Sequence, residues 1–168
     1  MNLIKQTTRI KNKLKRAKET DKDFKVFGAS SHQYFIKPPI RSKEIRCFEE
    51  QYDIILPRCY KAFLLEIGNG GCSCSHHSAA GPYYGIFPLG ERLWSLFENP
   101  TKFLSQAVKI YPNMTDEEWE RLTQEAEEEE WRGEHSDLDI LNAGVLPIGS
   151  QGCTYLQNRI YRRGLNKR

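Results

Sequence analysis

Residues 57–71 constrain the local architecture of this chain more than any other stretch. Pro57 is followed by Tyr60, Phe63, Leu64 and Ile67. Spacing of i, i+3, i+4 and i+7 gathers apolar side chains on one face of an α-helix. Proline suits the first helical position, whose N–H has no intrahelical partner. Gly68, Asn69, Gly70 and Gly71 then stop the helix. Glycine, and less readily asparagine, accepts the left-handed backbone that such a terminus uses. The pattern predicts an amphipathic helix, a hard stop and a loop.

Other segments read less sharply. Leu3, Ile10, Leu14 and Ala17 form one narrow apolar stripe, which predicts a helix over residues 1–20. Residues 24–36 read as an irregular or short-strand lead-in, ended by Pro38 and Pro39. Ser42 is placed to cap a helix over residues 43–52 whose buried face is Ile45, Phe48 and Tyr52. Residues 83–89 read as a strand that Pro88 ends or confines to an edge. Residues 91–98 fit neither period. Phe103, Leu104, Ala107, Val108 and Tyr111 mark a further helix. Thr115 and Glu118 form a capping box that opens the next, with Trp119, Leu122 and Ala126 as its buried side and Gly133 as its close. Residues 145–148 read as a second strand, turned by residues 149–152.

At 168 residues the chain is long enough for one domain with a proper core. No apolar run approaches the roughly 20 residues needed to span a bilayer. The basic N-terminus has no apolar h-region, so it does not read as a secretory signal, and a cytoplasmic location is the default. Five cysteines, an odd count, argue against a disulfide framework. Cys47 and Cys59 fall within helical patterns and read as small buried hydrophobes.

Charge is distributed unevenly. Residues 1–18 carry Lys5, Arg9, Lys11, Lys13, Lys15, Arg16 and Lys18 and no acid, while residues 116–137 carry half of the chain's 22 acids. The basic segment is read as a solvated or partly frayed arm, and nucleic acid is not expected as a partner. A carboxylate-dense helix can imitate a phosphate backbone and receive a basic protein steered by charge. Glu127, Glu128, Glu129 and Glu130 are the tentative core of that partner-binding surface.

Cys72, Cys74, His76 and His77 bring thiol and imidazole together, as zinc or copper sites do. Their spacing is not that of paired zinc ligands, so they are weak metal candidates on a polar loop, and neither metal nor cofactor is expected. A thiol nucleophile needs a base and an orienter on a rigid scaffold, whereas here every candidate lies on one loop. His32 and His135 lack evident carboxylate partners and read as solvated. Glycines 68, 70 and 71 close a helix, whereas a phosphate loop opens one. No catalytic residue is expected.

Three pieces in order, residues 56–71, 84–89 and 145–152, resemble the SUKH superfamily, of the Smi/Knr type. The likeness runs from about Lys43 to Tyr155. Matching positions include Pro57, Tyr60, Phe63, Leu64, Asn69, Gly70, Gly71, Gly85, Pro88, Leu146, Pro147, Ile148, Gly149 and Gly152, and they look architectural. The resemblance implies an α+β fold, a mainly antiparallel sheet packed with helices. With the charge pattern, the chain is read as two parts, a basic helical arm over residues 1–27 and the Smi/Knr-like domain over residues 28–168. Residues 153–168 do not read as the further strands of the family, so the sheet is expected to be short of its last strands, truncated or divergent.

Functionally, the resemblance implies a non-enzymatic immunity or antitoxin-like protein that binds and neutralises a toxin domain, often a nuclease. The alternative is a regulatory interaction scaffold like the yeast cell-wall regulators. A metal-binding protein built on residues 72–77 is the third reading.

Overall fold

Leu3–Thr20 forms helix α1, fastened at both ends. The Asn2 side chain accepts the Lys5 N–H at 3.2 Å, satisfying one of the orphan donors of the first turn. Beyond the last turn, the Asp21 carboxylate accepts the N–H groups of Lys25 and Val26 and the Tyr34 hydroxyl, the last at 2.7 Å. Burial pushes the Asp21 carboxyl up, but these hydrogen bonds outweigh it and hold the group below its ordinary value. This computed structural model describes residues 2–26, 29–71, 84–151 and 156–160. Its architecture is mixed and helix-rich, with few strands.

The chain forms two compact units. The first holds Met1–Ile45, Pro57–Glu91 and Ile148–Gln157. Here α1 packs on helix α4, Arg58–Glu66. Leu3, Thr7 and Ile10 line the seam with Ala62, Phe63 and Ile67. Thr7 is buried in the stripe that the sequence assigned to apolar residues, and its hydroxyl donates to the Ile4 carbonyl. Pro57 stands just before α4 rather than inside it, and its carbonyl accepts the Lys61 N–H at 2.9 Å. The lead-in contains helix α2, Ala29–His32, and a single bridge between Ile36 and Gly71.

The glycine stop joins this bridge to the first strand. Gly70 has φ +68°, and a Cβ there would lie 2.4 Å from the carbonyl carbon of Phe87. Only glycine permits both the backbone sign and the approach. Strand β1, Tyr84–Ile86, pairs antiparallel with strand β2, Val145–Gln151, setting Tyr84 against Gln151, Gly85 against Ser150 and Ile86 against Gly149. Residues 149–151 therefore continue the strand, where the sequence had suggested a turn. Strand β3, Leu156–Ile160, follows in a sheet ordered β1-β2-β3. One strand thus forms where the residues after 152 gave no such signal.

Helix α3, Ser42–Tyr52, carries the chain from the first unit to the second. Ser42 lies within α3 and not at its cap. The Arg41 carbonyl accepts the N–H groups of Glu44 and Ile45, and the Arg41 N–H donates to the Glu44 carboxylate at 3.0 Å. Cys47 is exposed and Cys59 half-buried, so neither is a core residue. Cys47 lies two residues from buried Ile45, about 200° around the helix.

The second unit holds Arg46–Leu56, Arg92–Pro147 and Asn158–Arg168. It contains a 3₁₀ turn over Leu93–Ser95, helix α5 over Pro100–Phe103, helix α6 over Asp116–Trp131 and helix α7 over Asp137–Leu141. Leu93, Phe97, Phe103, Leu104, Leu122, Ile140 and Leu146 are buried in it. The helix expected to include Phe103, Leu104, Ala107, Val108 and Tyr111 ends at Phe103. The Phe103 carbonyl, which a continuing helix would give to residue 107, instead accepts the N–H groups of Gly144 and Gln106 at 3.0 and 3.1 Å.

Candidate functional site

Helix α6 starts as its sequence dictates. The Thr115 hydroxyl accepts the Glu118 N–H at 3.2 Å, and the Glu118 carboxylate accepts the Thr115 N–H at 2.8 Å. Asp116, Glu117 and Glu118 fill the first turn, where the helix dipole favours negative charge. The Tyr111 hydroxyl donates to Glu118 and, with the Thr115 N–H, holds its carboxyl below the ordinary value. Leu122 and Ala126 are buried, and α6 packs against α7. Trp119, expected on the buried side, is 44% exposed.

The other end of α6 breaks the rule that its start obeys. Glu127, Glu128, Glu129 and Glu130 crowd the C-terminal turns, where the dipole disfavours anions, and the last turn holds no basic residue. Glu127 and Glu130, at i and i+3, lie on neighbouring turns and add like-charge repulsion. Among the described residues none of the four makes an ion pair. Glu125 is neutralised by Lys109 at 2.9 Å, and Arg132 is drawn to Glu134 at 3.4 Å.

Four consecutive residues do not make one surface on a helix, because each step turns about 100°. Glu127, Glu128 and Glu130 are exposed, whereas Glu129 turns back toward the Leu122 side and is half-buried. The outward face instead combines Asp116, Glu120, Glu127 and Glu128 with Trp131, which is 89% exposed. Trp131 and Glu120 belong to the candidate site although the glutamate run did not point to them. Spacing of i, i+7 and i+11 is the sequence signal that places Glu120, Glu127 and Trp131 together.

The other candidates are dispersed. Cys72, Cys74, His76 and His77 lie outside the described residues, as does Gly152. Among the described residues no group of three or more His, Cys, Asp or Glu is placed to hold a metal ion. His32 is half-buried rather than solvated, and its Nδ1 accepts the Tyr34 N–H at 3.0 Å. His135 is also half-buried, edge-on to the Phe103 ring, with Lys102 Nζ 2.9 Å from its Nε2. Pro57 directly precedes α4, Asn69, Gly70 and Gly71 follow it, Gly85 lies in β1, Pro88 lies two residues beyond β1, and Pro147 and Gly149 lie in β2. A largely apolar cavity of about 330 Å³ in the first unit is lined by Ile10, Leu14, Tyr34, Phe35, Phe63 and Ile86 among others. Among the described residues no helix is long and apolar enough to cross a membrane.

Comparison with known proteins adds one positive finding. A profile of the SMI1 / KNR4 family (SUKH-1) matches residues 39–157. No curated protein and no solved structure matches significantly.

Proposed function

The chain belongs to the SMI1 / KNR4 family (SUKH-1), and on that premise we propose that it acts by binding rather than catalysis, as an immunity protein that neutralises a cognate toxin domain. The fold we assign is the family's α+β arrangement, helices packed with a mainly antiparallel sheet. Family membership fits an immunity protein or a regulator.

The toxin-binding reading is carried by one observation, the acidic C-terminal half of α6. Its glutamates lie where helix electrostatics oppose them and where, among the described residues, no cation pairs with them. Local rules are broken in this way where a surface serves a partner. A dense carboxylate face steers a basic protein into place, and the exposed Trp131 supplies an aromatic anchor of the kind enriched at interface centres. The partner that fits is a basic toxin domain, such as a nuclease whose own ligand is polyanionic. Blockade is steric and electrostatic and requires no cofactor.

Growth rescue and pull-down against any toxin domain encoded beside this chain test the proposal. Tight binding with rescue supports it. A folded protein that neither binds nor rescues removes it in favour of the regulatory scaffold.

A further inference from the structure

Helix α1 presents a second charged surface, distinct from α6. Its Leu3, Thr7 and Ile10 face α4, and its ends are held by Asn2 and Asp21. The opposite face exposes Lys5, Arg9, Asn12, Lys13 and Arg16. Lys11 and Lys15, on the flank, are paired with Glu66 and Glu19. Among the described residues Lys5, Arg9, Lys13 and Arg16 have no ion-pair partner. Lys5 lies in the first turn, which holds no acid and where the dipole disfavours a cation. Helix stability therefore does not account for Lys5.

Successive cations at i and i+4 rise about 6 Å along the helix, so the row spans roughly 16 Å. A nucleic-acid duplex carries one negative charge per about 1.7 Å of axis, so several phosphates lie within reach of such a row. Asn12, between the cations, is a side chain of the type that donates to phosphate oxygens. A lipid surface fits less well. An interfacial helix buries its apolar face in the bilayer, and here that face is engaged by α4. Ile4, 78% exposed, is the lone large apolar side chain left on the solvent side of α1.

We propose that the outer face of α1 docks the phosphate backbone of a double-stranded nucleic acid without reading its sequence. The sequence alone suggested a helix over residues 1–20 in a solvated or partly frayed arm. A fixed helix changes that expectation, because its cations are held in register before the ligand arrives.

The test is fluorescence anisotropy of the full chain with a fluorescein-labelled DNA duplex of mixed sequence, between about 50 and 200 mM salt. Four phosphate contacts predict a slope of log K against log salt of about −3.6. The fourfold variant Lys5→Gln, Arg9→Gln, Lys13→Gln, Arg16→Gln should weaken binding at least about tenfold and flatten the slope, with unchanged circular dichroism. Lys5→Gln with Lys13→Gln should halve the slope, so the reading does not depend on one heavily altered protein. Lys43→Gln with Arg46→Gln, on α3, should change neither. No duplex binding at the lowest salt overturns the proposal. Undiminished binding by the fourfold variant overturns it too, as does tighter binding to phosphatidylserine vesicles than to the duplex.

Discussion

Asn69 Oδ1 accepts the backbone N–H of Leu89 at 2.8 Å, and so ties the end of α4 to the segment that leaves β1. Around this bond the Gly71 N–H donates to the Ile86 carbonyl at 2.7 Å, and the Lys37 N–H donates to the Gly70 carbonyl at 2.8 Å. Two of the three sequence pieces that carry the family resemblance are thus one hydrogen-bonded corner. Asn69→Ala leaves the part-buried Leu89 N–H without its acceptor and should destabilise the chain by about 1–3 kcal/mol in urea denaturation. Asn69→Asp keeps an acceptor and should cost less. Equal losses for the two variants would contradict this role.

Gly70 and Gly133 offer a matched pair. Their φ values are +68° and +69°, yet a Cβ at Gly133 meets nothing within 4 Å, while one at Gly70 overlaps the backbone of Ile86 and Phe87. Gly133→Ala should therefore cost only the left-handed strain, about 1–2 kcal/mol. Gly70→Ala should cost distinctly more, since rigid backbone must move. Denaturation of both variants separates the two terms, and equal costs would rule out the close approach.

Asp139 is 3% exposed, and its Oδ1 accepts the N–H groups of Glu98 and Asn99 at 2.9 and 3.1 Å. Asp139→Ala strands both donors and should lower stability by about 1–3 kcal/mol for each left unsatisfied. Asp139→Asn retains an acceptor oxygen and should avoid much of that loss. Thermal melts of the two variants are the check.

The start of α6 predicts a pH dependence. The Tyr111 hydroxyl holds the Glu118 carboxyl below its ordinary 4.5. A depressed folded value means that the contribution is complete above pH 4.5. It is lost as pH falls below 4.5 and through the lower folded value. Tyr111→Phe should move the Glu118 titration, followed by carbon-13 NMR of its carboxyl, upward toward the ordinary value. An unmoved titration would contradict the hydrogen bond's role.

Sequence and structure agree where the signal is local. The Thr115–Glu118 box needs only neighbours a few residues away and forms as read, whereas α4 ends at Glu66 and the left-handed backbone expected at its terminus falls instead at Gly70, against the backbone of Ile86 and Phe87. The end of α5 at Phe103 was not legible, because it depends on Gly144, which has φ +71° and whose Cβ would fall 2.6 Å from the Gln106 carbonyl oxygen. That contact spans some forty residues of chain. Exposure of Cys47, by contrast, follows from the buried face that Ile45, Phe48 and Tyr52 already defined. For the candidate site, composition identified the acidic helix but not its face. Helical geometry removes half-buried Glu129 from the centre and brings in Glu120 and Trp131.

The acidic end of α6 is where stability and binding should part. Glu127→Gln, Glu128→Gln and Glu130→Gln together relieve both dipole and like-charge repulsion. The triple variant should raise the melting temperature by about 2–4 °C. A lower melting temperature would mean that these carboxylates stabilise the fold.

The most direct measurement is the affinity of the proposed basic toxin domain for the wild-type chain, the same triple variant, and Trp131→Ala. The account predicts tight wild-type binding that weakens at least about tenfold in each variant, and falls with added salt for the wild type. Unchanged affinity in both variants, from proteins that remain folded, would contradict α6 as the toxin-binding surface.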